Sequence, residues 1–459
     1  MRGKSKNDTT YWYSNSSGFD EKAQAIVVHS WNSRIPAGSK HVGFLSSSET
    51  SSSWEGNNKG FLGGDYPLHM AAALKQGILT KSSARAERTC AALQHDKTLE
   101  PGEAYTIHYA LGIVDRPEEV AGLAKKITDS KWVESAFQEV IQHYAALINK
   151  NPIQTPEPIL NTMLNIWSKV QLEHLIWSAR KSAFYNWRNH LQDAQGFLSI
   201  DPSWAKEFIR GCCAAQKSDG FMRRCSERGL PLGIGILSQT HRDIAIWCIG
   251  TAADYISETG DRNFLDELVS FSDNGAEDTI LNHLIKALRW LCCDLGEHGL
   301  SRFGDGDWND AIEAGTKGKG ESVWMSEALI SALKLMAALL RDERKTKLAE
   351  EFFAFAEKLK KTINDFAYDG RWYIRGTTDT GKPFGKESDQ EGRIFLLPLN
   401  PENPPEQSEI IPLWIPNYYH ANAAGNGKVS LKVDGLKIDG NIVKSFCDRK
   451  EHSVEVEII

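Results

Sequence analysis

The feature that most constrains the fold is a succession of helical patterns between about residue 155 and about residue 367. Segments such as EPILNTMLNIWSKVQLEHLIWSAR and ESVWMSEALISALKLMAALLRD place apolar residues at three- and four-residue spacing, the period of an α-helix. Several segments are apolar on more than one face, so a second layer of helices must cover them. No fixed-period repeat occurs, which disfavours a solenoid. We therefore predict stacked helical hairpins arranged as a toroid.

Strand-like patterns flank the helical region on both sides. QAIVVHSW and RTCAALQHDKTLEPGEAYTIHYALGIV lack helical periodicity, whereas RPEEVAGLAKKI and WVESAFQEVIQHYAALINK predict two linking helices before a boundary at NPIQTPEP. The tail, KVSLKVDGLKIDGNIVKSF and HSVEVEII, alternates like strands joined by DG turns. We predict four parts: a partial β domain at 1–115, a helical linker at 116–154, a helical domain at 155–400 and a C-terminal β segment at 401–459.

Charge and cysteine spacing exclude several classes of partner. The net charge of −7 and the lack of a long basic run argue against nucleic-acid binding. No apolar stretch approaches the length of a membrane span, and the start, MRGKSKNDTTYWYSNSS, has no apolar core after its basic residues. We therefore expect a cytoplasmic protein without a membrane partner. The eight cysteines form no C-x-x-C pair, so we expect buried free thiols rather than a metal or redox site.

The main candidate site is the glycine-rich segment RFGDGDWNDAIEAGTKGKGESVW, in which Asp305, Asp307 and Asp310 cluster around Trp308 and Asn309. Glycines allow positive φ and a close approach of the backbone to a ligand. A Trp ring beside carboxylates and an amide is a frequent way to hold a sugar, and the fourteen Trp residues of the chain agree with carbohydrate binding. A partly desolvated carboxyl also has the raised pKa that a general acid needs. The alternative is a polar loop between two helices.

Other polar residues have two interpretations that the sequence leaves open. Glu321, in GKGESVW, is either a ligand contact or a carboxylate that interacts with the dipole of the following helix. In YNWRNHLQDAQGF, Arg188 and Asp193 either bind sugar hydroxyls by charge-assisted hydrogen bonds or form an internal salt bridge that orients the loop. His241 and Asp243, in SQTHRDIAIW, are explained at least as well by helix capping as by a site.

Together these runs resemble the inverting disaccharide phosphorylases of glycoside hydrolase family 94, the cellobiose and chitobiose phosphorylase family. The resemblance is carried by GDGDWNDAIEAGTKGKGESVW, WRNHLQDAQGFLSIDP, YISETGD, EGRIFL and KVDGLKIDGNIV, which occur in the family's order. It implies a mainly α fold with flanking β structure: an N-terminal β-sandwich portion, a helical linker, an incomplete (α/α)6-barrel-like helical toroid and a small C-terminal β layer.

The resemblance also implies a reaction and roles for residues. Asp310 occupies the position of the proton donor, and inorganic phosphate is the nucleophile, so the products are an α-sugar 1-phosphate and a shortened acceptor. Because phosphate is already charged, no base carboxylate is needed, unlike in an inverting hydrolase. We expect an oligosaccharide and phosphate as partners, a homodimer, and neither a metal nor an organic cofactor. Substrate contacts are expected from Arg188, Asp193, Trp308, Asn309, Asp307, Gln192 and Glu321.

The sequence departs from the family pattern at three places. Asn189 stands where many members have Asp, the N-terminal β region is short, and the chain runs from EGRIFL through LPLNPENPPEQSEIIPLWIPNYYHANAAGNGKVSL directly into the tail strands. The family has further barrel helices there, with a phosphate-binding His and a Thr-Gly pair, so the phosphate site is unassigned and His420 is one candidate. Two alternatives remain: an inverting hydrolase with Asp243, Asp193 or Glu321 as base, or a non-catalytic sugar-binding remnant.

Overall fold

The structure is a computed structural model, and the residues it describes are 15–30, 42–64, 68–178, 184–227, 240–309, 312, 314–370, 373–386, 429–438 and 454–458. The chain separates into two units. The first ends at Asn149 and the second begins at Lys150. The four-part division made from the sequence stays a prediction; in the structure the two helices of the expected linker belong to the first unit.

The first unit contains a four-stranded antiparallel sheet in the order β1-β2-β3-β6 and a two-stranded ladder of β4 and β5. Its strands are β1 Asn15–Asp20, β2 Ala25–Ser30, β3 Val42–Ser47, β4 Ser53–Asn57, β5 Thr89–Gln94 and β6 Tyr109–Val114. Its helices are α1 Asn58–Leu62, α2 Ala72–Gln76, α3 Glu118–Lys126 and α4 Ser130–Asn149, with a 3-10 turn at Leu68–Met70. A core of Phe44, Val42, Val114 and Val120 joins the sheet to α3.

Two short helices, α1 and α2, lie in the region where the sequence analysis predicted strands. The Asn57 side chain accepts hydrogen bonds from the backbone of Lys59 and Gly60, and Gly63 ends the helix α1 with a φ of 80°. Asn as N-cap and Gly at the left-handed C-terminal position are local signals, so the sequence does contain the information for α1.

The second unit is mainly helical. Its helices are α5 Pro158–Thr162, α6 Ser168–Ser178, α7 Trp187–Phe197, α8 Ser203–Ala214, α9 Ile244–Thr259, α10 Ile280–Cys293, α11 Val323–Asp342 and α12 Thr346–Ala367, with a π-helical turn at Met163–Trp167 and a 3-10 turn at Arg262–Asp266. Neighbouring helices pack against one another, most extensively α11 against α12. The mainly α class with flanking β structure is confirmed.

Short strands join these helices at their ends. They are β7 Phe184–Asn186, β8 Cys225–Glu227, β9 Leu268–Ser270, β10 Glu277–Thr279, β11 Glu321–Ser322, β12 Gly376–Thr377 and β13 Pro383–Phe384. The tail forms a three-stranded antiparallel sheet of β14 Val429–Val433, β15 Leu436–Ile438 and β16 Val454–Ile458. Asp434 and Gly435 both have positive φ between β14 and β15, which confirms the predicted DG turn.

Local side chains and glycines mark several helix ends. Gly260 ends α9 with a φ of 68°, and Asp201 accepts hydrogen bonds from the backbone and hydroxyl of Ser203 at the start of α8. Helix α10 ends at Cys293. The backbone N–H groups of His298 and Leu300 donate to the Glu321 carboxylate, which draws this segment out of the helix.

Long apolar segments are buried in one part of the second unit and partly exposed in another. Helix α11 is long and apolar enough to cross a membrane, contrary to the expectation that no stretch has this length, but 78% of its apolar window is buried within the protein. In the helical stretch from Pro158 to Ser178, Ile159 is 77% exposed, Trp167 62% and Trp177 74%. The sequence analysis expected a second layer of helices to cover such faces, and these three side chains remain exposed.

The described cysteines are free thiols, and Cys212, Cys213, Cys225 and Cys248 are buried, as predicted. Cys293 is exposed, and Cys447 lies outside the described residues. Burial and hydrogen bonding to Cys248 raise the pKa of Cys212 and Cys213 well above the ordinary thiol value. Within the described ranges, no group of three or more His, Cys, Asp or Glu residues has a geometry that holds a metal ion.

Candidate active site

The glycine-rich loop lies between the end of α10 and the start of α11, and backbone hydrogen bonds close its base. Phe303 N donates to Gly320 O over 2.9 Å, and Ser322 N donates to Ser301 O over 2.8 Å. Gly304 has a φ of +62°, and a Cβ there would lie 2.2 Å from Thr240 O. Positive φ and close backbone approach were the predicted reasons for glycine, but here the approach is to the chain's own backbone.

Asp307 is fully buried and anchors the loop to α11 and to the strand β12 region. Its Oδ2 accepts from the Ser322 hydroxyl at 2.6 Å and pairs with Arg375 Nη2 at 2.5 Å, and its Oδ1 accepts from Asn309 N at 2.9 Å. Both carboxylate oxygens therefore have partners in the protein. The substrate contact predicted for Asp307 stays a prediction, and the structure gives this residue a positioning role.

Arg188, at the start of α7, anchors the loop from the opposite side. Its Nη1 donates to Asp243 Oδ2 at 2.8 Å and to the backbone carbonyls of Asp307 at 3.0 Å and Trp308 at 3.1 Å. Trp247 Nε1 donates to the same Asp243 oxygen over 3.0 Å. The structure therefore contains an internal salt bridge that orients the loop, formed by Arg188 with Asp243. The Asp243 side chain makes no capping bond to α9, so the capping interpretation was wrong for this residue.

Asp305 ties the beginning of the loop to the segment before α9. Its Oδ2 accepts from Thr240 N at 2.6 Å and from the Thr240 hydroxyl at 2.9 Å. His241 lies close to Gly306, where a Cβ would come within 2.9 Å of the imidazole Nε2. Three separate parts of the second unit thus hold the backbone from residue 305 to residue 309: Thr240, Arg188 with Asp243, and Arg375 with Ser322.

Trp308 is 44% exposed on this otherwise anchored loop. An aromatic ring that is held by its backbone and open to solvent can cover the apolar face of a sugar. Asn309 follows it, and the next residue in the chain is Asp310, which lies outside the described residues. On α7, Asp193 is buried, and Gln192 and Asn189 are partly buried. Their predicted sugar contacts remain predictions.

Glu321 is 1% exposed, and its carboxylate is held by groups outside the first turn of α11. It lies in strand β11, and its carboxylate accepts from His298 N at 3.0 Å, Leu300 N at 3.1 Å and the Thr377 hydroxyl at 3.3 Å, and pairs with His298 Nδ1. These donors belong to the turn after α10 and to strand β12. Glu321 therefore braces the base of the loop, and its role as a ligand contact stays a prediction.

Two residues of this site were missed by the sequence analysis. Arg375 is 3% exposed and pairs with a residue 68 positions away, so no local pattern could reveal it. Glu327 is 2% exposed within α11, where burial raises its pKa to about 8 while the charge of Arg375 acts in the opposite direction. A single Glu in the apolar run VWMSEALISAL was a signal that could have identified the second residue.

Comparison with known proteins identifies the family of both units. Residues 143–400 match the family model described as glycosyl hydrolase 94 superfamily, catalytic domain, and residues 12–130 match glycosyl hydrolase 94, supersandwich domain. The two matches follow the observed order of a β-rich unit and a helical unit. They assign the first to a supersandwich and the second to a catalytic domain.

Three curated relatives are phosphorylases. The chain is 30% identical over 388 residues to 3-O-beta-D-glucopyranosyl-beta-D-glucuronide phosphorylase of Paenibacillus borealis, covering 82% of this chain and 50% of the relative. It is 35% identical to solabiose phosphorylase of the same organism, covering 77% and 45%. It is 31% identical to cellobionic acid phosphorylase of Neurospora crassa, covering 75% and 44%. The chain thus spans about half the length of the curated relatives it matches, and it belongs to glycoside hydrolase family 94.

Proposed function

We propose that this chain carries the acid-catalytic part of an inverting phosphorylase that acts on a β-linked disaccharide or oligosaccharide. The observation that carries the proposal is the anchored loop from Asp305 to Asn309, which exposes the Trp308 side chain. Asp310 follows Asn309 in the sequence. Catalysis by a general acid requires a carboxyl held in a fixed position against its substrate. The phosphorylase names of the relatives support the same reaction class.

The proposed chemistry needs one proton donor and one external nucleophile. A phosphate oxygen attacks the anomeric carbon, the bond from that carbon to the glycosidic oxygen breaks, and the departing oxygen takes the proton of Asp310. Attack from the face opposite the leaving group converts a β-linkage into an α-sugar 1-phosphate. Trp308 would cover the sugar face, and Arg188 and Arg375 would support catalysis by holding the residues that precede the acid, through the backbone of Asp307 and Trp308 and the Asp307 side chain.

Hydrolysis is the weaker alternative because it needs a second carboxylate as base. Of the three residues considered for that role, Glu321 accepts four hydrogen bonds or ion-pair contacts from the protein, and Asp243 is paired with Arg188 and Trp247. Carboxylates engaged in this way are poorly suited to activating water. Asp193 is buried on α7.

Candidate substrates and a candidate phosphate ligand complete the proposal. The relatives' names suggest a glucosyl glucuronide, solabiose and cellobionic acid as the first compounds to test. His420, the candidate phosphate ligand, lies outside the described residues. We also propose a cytoplasmic homodimer that uses no metal or organic cofactor; light scattering tests the dimer.

The acid role of Asp310 is tested with two glycosyl donors, one whose leaving group must be protonated and one whose leaving group departs without a proton. Asp310→Asn should lower phosphorolysis of a β-linked disaccharide by roughly 10²- to 10⁴-fold, the usual contribution of a general acid. The same variant should retain phosphorolysis of a β-glucosyl fluoride, because fluoride leaves without protonation. The matched control is Asp305→Asn, which removes the same charge from the same loop. Equal loss on both donors in Asp310→Asn would contradict the acid role, and sugar binding without turnover in the native chain would favour a binding remnant.

A further inference from the structure

A cavity lies at the base of the loop, and Trp308 is not among its lining residues. Its volume is about 660 Å³, and its lining includes Glu297, His298, Arg302, Lys319, Thr378 and Thr380. Sites for small molecules commonly have roughly 300–1,000 Å³. Arg302 and Lys319 stand near the two ends of the loop, and the threonines belong to the turn between β12 and β13. The cavity is therefore formed by three segments whose backbones are joined by hydrogen bonds.

Two of the carboxylates on the cavity wall are already bonded to the protein. Asp379 accepts from the backbone N–H groups of Lys317 at 2.9 Å, Lys319 at 2.8 Å and Gly320 at 3.0 Å. Burial acts to raise the pKa of Asp379, but these donors outweigh it and hold the pKa below its ordinary value. Glu321 is bonded to His298, Leu300 and Thr377 as described above. Neither carboxylate is left to neutralise a cation in the cavity.

The two cations of the cavity are incompletely neutralised. Within the ranges that the structure describes, no carboxylate lies within ion-pair distance of Lys319, whose side chain is exposed. Arg302 Nη1 lies 3.7 Å from Asp294 Oδ1, and the other oxygen of Asp294 is held by Arg242 at 2.6 Å. Arg302 Nε is buried and has no hydrogen-bond partner among the described residues. A ligand that brings an oxyanion would satisfy both cations.

The remaining polar groups of the cavity suit a sugar. The hydroxyls of Thr378 and Thr380 lie 2.9 Å apart and can each donate and accept. Glu297 is exposed on the same wall and supplies a hydrogen-bond acceptor. Its negative charge disfavours a free phosphate dianion, whereas a sugar acid carries one negative charge and several hydroxyl donors.

We propose that this cavity binds an acidic sugar, with the carboxylate between Arg302 and Lys319 and the hydroxyls on Glu297, Thr378 and Thr380. The occupant is a free uronic or aldonic acid, or the acidic unit of an oligosaccharide. The role of the cavity in substrate choice rests on the proposed phosphorolysis. Binding itself does not, and it is measured without turnover, so the two proposals fail independently.

Isothermal titration calorimetry on the full chain tests the proposal with glucuronate, glucose, inorganic phosphate and a glucosyl glucuronide. The native protein should bind glucuronate more tightly than glucose or phosphate. Lys319→Met should weaken glucuronate binding roughly fivefold, and Arg302→Met by roughly tenfold or more. The matched control is Lys317→Met, since Lys317 also donates its backbone N–H to Asp379 but does not line the cavity; this variant should bind as the native chain does.

Three results would overturn the proposal: no saturable binding of glucuronate to the native chain, equal binding of glucose, or equal weakening in Lys317→Met and Lys319→Met. A fourth contrary result would be phosphate binding that is tighter than glucuronate binding and that weakens in Arg302→Met and Lys319→Met, because the cavity would then be a general anion site. Glucosyl glucuronide shows whether the occupant is the free sugar acid or the acidic unit of an oligosaccharide. If this compound binds at least as tightly as glucuronate, and its binding weakens in the same variants, the cavity accepts the acidic end of an oligosaccharide. Weaker binding of this compound would restrict the cavity to the free acid.

Discussion

Replacement of Arg375 by Met tests whether the buried ion pair with Asp307 holds the candidate loop. Arg375 is 3% exposed and Asp307 is fully buried, with 2.5 Å between Nη2 and Oδ2. Arg375 Nη1 also donates to the Ser322 hydroxyl over 3.1 Å, and the guanidinium lies 5.2 Å from the centre of the Phe303 ring. Met retains much of the apolar stem and removes the charge and the donors.

The expected loss of stability in Arg375→Met follows from the buried Asp307 carboxylate, which is left without its cationic partner. Removal of one partner of a buried ion pair typically costs about 3–5 kcal/mol, because the other charge stays buried without compensation. Asp307 would keep the Ser322 hydroxyl and the Asn309 N–H as donors, which places the expected loss toward the lower end of that range. A second substitution, Asp307→Asn, removes the stranded charge and should restore part of the lost stability.

Urea denaturation followed by Trp fluorescence measures this loss as a free energy of unfolding. The matched control is Arg289→Met, whose partner Glu351 lies 4.0 Å away with both side chains more than half exposed; it should change stability by less than about 0.5 kcal/mol. The reasoning is refuted if Arg375→Met costs no more than the control, or if Asp307→Asn adds its full cost to that of Arg375→Met.

Three further substitutions test a residue of helix α7, a residue of helix α11 and a glycine of the loop. Arg188→Lys keeps the charge but not the three hydrogen bonds of the Nη1 group, so kcat for phosphorolysis should fall by roughly 100-fold in steady-state assays of a folded protein; an unchanged kcat would contradict the positioning role. Burial raises the pKa of Glu327 in the folded chain to about 8, from an ordinary value of 4.5. Between these two pH values the folded state binds more protons than the unfolded state. The free energy of unfolding should therefore fall as pH rises from 4.5 to 8, by up to about 1.4 kcal/mol per pH unit. Glu327→Gln should flatten that fall in denaturation series at several pH values, and an equal slope in both proteins would count against it. Gly304→Ala should cost about 2 kcal/mol more than Gly318→Ala by thermal unfolding, because both have positive φ but only the first meets a backbone atom, at 2.2 Å; equal costs would show that the contact relaxes.

The helices were predictable because their signals are local. The apolar period, the Pro after Glu157 and the Gly that ends α9 each act within a few residues. The same holds for the DG turn of the tail, where both residues adopt positive φ. Where a distant group intervened, the local pattern failed: α10 stops at Cys293 because Glu321 captures the N–H groups of the residues that follow.

The candidate site was predictable in its residue types but not in its contacts. The cluster of Asp residues around Trp308 was visible in one short run, since all of them lie within six positions. Its anchors were not, because Arg188 reaches Asp243 across 55 positions and Arg375 reaches Asp307 across 68. Asp307 and Glu321 were predicted to contact the substrate. In the structure the carboxylate oxygens of both residues accept hydrogen bonds from other groups of the protein.

The central claim is that the chain supports phosphorolysis through Asp310, and ³¹P NMR of the reaction tests it most directly. The native chain is mixed with inorganic phosphate and a β-linked glucosyl disaccharide, and the phosphate signals are followed with time. The account predicts a new signal of an α-anomeric sugar 1-phosphate that grows as inorganic phosphate declines, and no such signal with Asp310→Asn. Release of free sugar with the phosphate signal unchanged, or a β-anomeric product, would contradict the account.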